Sequence, residues 1–160
     1  MTSSDPGLAA GVAALPYVDE HAISIDVDDP LRVWGALGVV IERGWRAPGL
    51  VTRLLRAEPA GRSGDPLVAG STLPGFVVAT AEPGRELILR GRHRFSSYAL
   101  IFHLSLDGRR TRLGAETRAS FPGTDGRVYR LLVIGTRAHV VIVRALLHAT
   151  RRRAQRREDR

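Results

Sequence analysis

The feature that most constrains the fold is the last long helical stretch, from Gly126 to about Arg157. Apolar residues recur there at helical spacing: Tyr129, Leu132 and Val133, then Val140, Val143, Ala145, Leu146 and Leu147. No proline interrupts it. At about 1.5 Å per residue such a helix would be about 48 Å long, longer than a small domain is wide. Its apolar face needs a cover, and the middle of the chain offers one.

That middle reads as consecutive strands: Leu67–Thr72, Phe76–Glu82, Arg85–Arg94, Ser97–Leu106 and Thr111–Phe121. The turns between them are short: Pro83-Gly84, a polar turn near Ser96, then Asp107-Gly108, with Pro122-Gly123 ending the set. Short turns between neighbours predict an antiparallel meander. Parity assigns the faces. Leu87, Leu89, Gly91, His93 and Phe95 share one side, as do Tyr98, Leu100, Phe102 and Leu104, and Leu113, Ala115, Thr117 and Ala119. The opposite side carries Glu86, Arg90, Arg92, Arg94, His103, Ser105, Arg112, Glu116 and Arg118. The expectation is one apolar face, which receives the helix, and one charged face. Glutamates beside arginines there read as cross-strand pairs on a solvated surface.

Before the meander, His21–Asp28 alternates, with Ile23, Ile25 and Val27 on one side, and reads as a half-buried strand. Asp29-Pro30 reads as N-cap and first residue of a helix, with Leu31, Trp34, Leu37 and Ile41 inward and Gly44 at its end. Leu50–Ala57 reads as a second short helix between Pro48-Gly49 and Pro59, with Leu50, Leu54 and Leu55 inward. Residues 1–18 are expected to form a flexible arm, 19–150 the folded domain, and 151–160 an Arg-rich continuation of the last helix. The glycine-rich loop Ala60–Pro66 lacks the Gly-Lys-Ser/Thr and preceding strand of a phosphate cradle and reads as a surface turn.

Strand, two short helices, meander, long helix is the element order of the helix-grip fold. The stretch Asp28-Asp29-Pro30-Leu31-Arg32-Val33-Trp34-Gly35-Ala36-Leu37 resembles the strand-to-helix entry of the START-like, or SRPBCC, superfamily. That superfamily holds birch-pollen-allergen-like proteins, StAR-related lipid-transfer domains and polyketide cyclases. Leu73-Pro74-Gly75-Phe76 through Ser97-Tyr98, and Phe121-Pro122-Gly123 through His139, resemble an uncharacterised bacterial branch of it. The resemblance covers residues 19 to 155. It implies an α+β helix-grip fold: an antiparallel sheet of about six strands wrapped around the C-terminal helix, with two short helices after the first strand. It also implies an apolar cavity between sheet and helix, and no particular reaction.

Within that cavity parity places an apolar wall of Leu87, Leu89, Leu100, Phe102, Leu104 and Leu113, with small residues at Gly91, Ala115 and Ala119. Leu132, Val143 and Leu146 should face it from the helix. His93, Tyr98, Thr117 and His139 are the polar side chains on the inward surfaces. Each is either a group that fixes the polar end of a ligand or a core polar group bonded to backbone or water. His93, Tyr98 and His139 are the candidates if the chain is an enzyme using acid–base chemistry. Trp34 and Tyr129 read as core.

Other chemistries lack their residues. The chain has no cysteine, so it has no disulfide, thiolate metal site or cysteine nucleophile, which fits a cytoplasmic location. Its five histidines make no His-x-x-x-His pair, there is no Gly-x-Ser-x-Gly elbow, and neither a metal nor a cofactor is expected. The first fifteen residues do not form a secretory signal, and no run approaches the ~18 apolar residues of a membrane span. All 24 basic residues are arginine, the net charge is +8, and the last ten residues hold six arginines against two acids. Three functions remain open: binding or transport of a small hydrophobic ligand, a lipid- or polyketide-like molecule; a polyketide cyclase or aromatase acting in the same cavity; and contact with nucleic acid or an anionic membrane through the Arg-rich tail. Aromatics for base stacking are absent from the charged face, which disfavours nucleic acid.

Overall fold

The computed structural model describes residues 11, 12, 14–45, 58–93, 96–122 and 138–156, with the backbone alone at residues 93 and 138. Strand β1 (Tyr17–Ile25) leads into helix α1 (Pro30–Gly44). Strands β2 (Thr72–Leu73), β3 (Phe76–Glu82), β4 (Glu86–His93), β5 (Ser96–Asp107) and β6 (Arg110–Ser120) follow, and then helix α2 (Ala138–Gln155). The strands make one six-stranded sheet in the order β1-β6-β5-β4-β3-β2, antiparallel throughout. The meander is as expected, and the first strand adds to its far edge beside the last. The second short helix expected at Leu50–Ala57 and the first part of the long helix, through residue 137, lie outside the described residues.

Local chemistry explains the element ends. The Asp29 carboxylate accepts the Leu31 N–H at 2.9 Å, so α1 starts on the expected N-cap with Pro30 behind it. Leu31, expected inward, is instead 60% exposed, and the buried stripe is Val33, Trp34, Leu37 and Ile41. β1 begins four residues earlier than the alternation suggested, because Asp19, Glu20 and His21 pair with Thr117, Glu116 and Ala115. The strand expected at Leu67–Thr72 shrinks to Thr72–Leu73. Asp65 takes the Leu67 N–H on its side chain at 2.8 Å and the Val68 N–H on its carbonyl at 3.0 Å, so a local turn outcompetes the ladder.

The core lies between the inner sheet face and the two helices. Leu87, Leu89, Phe102, Leu113 and Ala115 are fully buried there, with Leu100 and Leu104 nearly so. Val143, Leu146 and Leu147 of α2 and the buried stripe of α1 complete the cluster. Burying each such side chain stabilises the fold by about 1.5–3 kcal/mol. On α2 the buried positions Val143, Leu146, Leu147, Thr150 and Ala154 fall on one stripe, and the Thr150 hydroxyl is satisfied by the Leu146 carbonyl at 2.9 Å. Among the described residues no helix is long and apolar enough to cross a membrane.

Two expectations about the faces change. The outer face is not uniformly charged: Ala79, Ile88, Ala99 and Ile101 form an apolar patch, and Val12 and Leu15 of the N-terminal arm are buried against it. The arm expected to be loose is therefore docked at these two residues, because the patch needs a cover. Around it the expected polar surface holds, with His103 lying 3.3 Å from Glu86 and 3.8 Å from Glu116. On the inner face, Gly91 does not open space for a ligand. A Cβ there would sit 1.9 Å from the Gly75 carbonyl oxygen and 2.7 Å from the Tyr98 ring. The missing side chain lets the chain before β3 cross β4 closely.

Gly91→Ala should therefore displace that crossing. The expected cost is about 1–3 kcal/mol, seen as a lower urea midpoint at unchanged m-value.

Candidate ligand site

The inner face carries a polar corner where β1 and β6 meet the start of α2. Ile23 and Ile25 oppose Leu113 and Thr111, and the same parity carried back along β1 brings His21 opposite Ala115 and Asp19 opposite Thr117. His139, in the first turn of α2, reaches down to this edge. Its Nε2 lies 2.8 Å from Asp19 Oδ2, and His21 Nε2 lies 3.4 Å from the same oxygen. An ionised carboxylate only accepts, so the His139 imidazole donates through Nε2. All three side chains are largely withdrawn from solvent, at 16% exposure for His139, 22% for Asp19 and 20% for His21.

The corner is incompletely satisfied. Asp19 Oδ1 and the Thr117 hydroxyl are buried, and neither has a hydrogen-bond partner among the described residues. Leaving such a group without a partner costs about 1–3 kcal/mol. From this corner the face turns apolar along one row: Thr117 pairs with Leu100, Leu100 with Leu89, and Leu89 with Val78. The next row runs from His21 through Ala115 and Phe102 to Leu87. A polar end on an apolar wall is the usual build of a small-molecule site.

The residues expected from the sequence fall into three groups. Thr117 and His139 are in the polar corner, while Leu89, Leu100, Phe102, Val143 and Leu146 are in the core cluster along the wall and α2. Tyr98 is elsewhere: its hydroxyl donates to the Gly75 carbonyl at 2.8 Å, and its ring meets Phe76 edge-on at 5.1 Å, with Trp45 beyond at 5.8 Å from Phe76. That aromatic row packs the β2–β3 end of the sheet, away from β1. The backbone of His93 pairs with Ser96 at the end of β4. The His93 side chain and Leu132 lie outside the described residues. Asp19 and His21 were not expected in the site. Their signal was available in the alternation of Ile23 and Ile25, continued two and four residues toward the N-terminus.

A space of about 1070 Å³ lies between α1 and α2 rather than on the sheet wall. Among the described residues no group of three or more histidine, aspartate or glutamate side chains is arranged to hold a metal ion.

A scan against protein-family models finds no match, and no curated protein sequence matches the chain. Solved structures do. Mll3558 from Rhizobium loti aligns at TM-score 0.53 with 19% identity, covering 88% of this chain and 99% of that one. The Zhui aromatase/cyclase from Streptomyces sp. R1128 also aligns at 0.53 with 19% identity, covering 89% and 95%. Ara h 8.0201 aligns at 0.51 with 9% identity, covering 86% and 96%. The chain has the helix-grip fold of these structures. At these identities the likeness carries the fold alone, and the function rests on the chain's own residues.

The Asp19–His139 contact joins α2 to the edge strand. A double-mutant cycle of Asp19→Ala and His139→Ala should give a coupling of about 1–3 kcal/mol in urea unfolding. A coupling near zero would mean the contact contributes nothing to holding the helix.

Proposed function

We propose that the chain binds and carries a small, largely apolar molecule between the inner sheet face and α2, in the cytoplasm. The observation that carries this reading is the pair of buried acceptors without a partner among the described residues, Asp19 Oδ1 and the Thr117 hydroxyl oxygen, at the edge of an apolar wall. A ligand hydroxyl or phenol placed there would donate to Asp19 and relieve the cost of the lone oxygen. Its apolar body would lie along Leu100, Leu89 and Phe102, under Val143 and Leu146. A lipid-like or polyketide-like molecule with one hydroxyl has this form. The helix-grip fold, with an aromatase/cyclase among its similar structures, agrees with it.

One observation favours a second reading, an aromatase/cyclase-like enzyme. His139 is held by a carboxylate, the arrangement that orients an imidazole for proton transfer. The two readings part over His139→Ala and His93→Ala. In a carrier either change weakens binding by about 0.5–1.5 kcal/mol. In an enzyme the loss of an acid or base lowers the rate about 10²- to 10⁴-fold while binding changes little.

The binding test compares 1-hydroxypyrene with pyrene by fluorescence titration. The wild-type chain should prefer the hydroxylated probe, and Asp19→Ala should remove that preference, a change of about tenfold or more for a hydrogen bond to a charged group. Equal affinity for the two probes in the wild-type chain, or a preference that survives Asp19→Ala, sinks the proposal. Mass spectrometry of the purified protein should find an apolar, hydroxyl-bearing companion.

A further inference from the structure

The space between α1 and α2 lies on the side of α2 turned away from Val143 and Leu147, apart from the polar corner. Its floor is apolar, with the small residues Gly35, Ala36, Ala145 and Ala149 set among Val39 of α1 and Ile142 of α2, and Leu146 of the core cluster also lines it. Ile142 is 59% exposed, and a Cβ added at Gly35 would meet nothing within 4 Å. Its rim is cationic, with Arg43 from α1, Arg152 and Arg153 from α2 and Arg156 just after it, all exposed. Among the described residues lining it there is no acid; Glu42 of α1 is outside the lining and paired with Arg62 at 3.1 Å.

The geometry points to a docking groove for an acidic amphipathic helix of a partner protein. Small residues on two neighbouring helices let a third helix approach closely, as in helix-in-groove recognition. The groove runs along α1 from Arg32 to Arg43, about 16 Å at ~1.5 Å per residue, the length of about three helical turns. An apolar stripe on the incoming helix would cover Ile142, Ala145 and Val39, and flanking carboxylates would meet the arginines on both sides. A compact ligand fits less well, because the groove is open to water along its length and could not enclose one. A membrane would need a projecting apolar surface rather than a hollow. A nucleic acid would need aromatic faces, and none lines the groove among the described residues.

The test is an NMR titration of the ¹⁵N-labelled full chain with a synthetic 14-residue peptide. Leucine and alanine occupy one helical face of the peptide, glutamate occupies the other, and both ends are blocked. Shifts should be confined to Arg32–Gly44 and Ile142–Arg156. Affinity should fall with added salt and drop at least tenfold in Arg152→Glu/Arg153→Glu. Ala145→Glu, which puts a carboxylate on the floor at an exposed position, should weaken binding by a similar factor, and circular dichroism checks that both variants fold. The proposal is overturned by any of four results: no shifts, shifts outside the groove, equal binding of the peptide with lysine in place of glutamate, or a groove that responds to phosphatidylglycerol vesicles or an oligonucleotide but not to the peptide.

Discussion

A sheet with an apolar face must keep that face from water, and most of this molecule follows from how it does so. Leu87, Leu89, Phe102 and Leu113 are completely buried in one cluster with the inward stripes of two helices, α1 from the first part of the chain and α2 from its end. The cover is not seamless. At the β1 edge it is made by a polar contact, His139 on Asp19, rather than by packing alone. That edge is where an otherwise oily interior acquires hydrogen-bonding capacity, and capacity in excess of its own partners is what a guest molecule can use.

The two helices that close the core also have backs. On α2 one stripe is spent on the sheet, while Ile142, Ala145 and Ala149 face the hollow beside α1. A helix hydrophobic over so much of its circumference serves two surfaces. The arginines of its last turns suit the negative end of the helix dipole, and the same charges rim the hollow. One run of residues thus contributes helix stability and surface character together.

Much of this was legible in the sequence because it depends on period. Strand parity placed Leu89, Leu100, Phe102 and Thr117 on one face, and Asp29-Pro30 marked the start of α1. What escaped depends on contacts between distant segments. Gly91 looked like room for a ligand, and the room is taken by the Gly75 carbonyl, a neighbour no local pattern announces. The outer patch under Val12 and Leu15 escaped because Ile88 stands between Glu86 and Arg90 on its own face, and Ile101 has only Ala99 and His103 beside it on its face. They form a patch only once β4 and β5 are paired in register. Tyr98 had the right parity for the site, but its ring turned to Phe76 and its hydroxyl to Gly75. Asp19 and His21 were hidden for a simpler reason: polar residues at the frayed start of a strand read as its end, while the ladder to β6 carries on past them.

The placement of β1 beside β6 has a consequence for how the molecule is made. Thr111 bonds to the Val27 carbonyl across 84 residues, and His139 meets Asp19 across 120. At about 5–20 residues per second, the ribosome delivers Thr117, the partner of Asp19 on β6, about 5–20 seconds after Asp19. Throughout that interval β1 has no strand to join, and its apolar side, Ile23 and Ile25, is bare. Charge on an unpaired strand discourages pairing with the wrong chain, and Asp19 and Glu20 in β1, with Asp26 just after it, supply that charge until β6 arrives. The carboxylate that faces the interior of the finished protein thus spends its first seconds keeping an unpaired strand in solution.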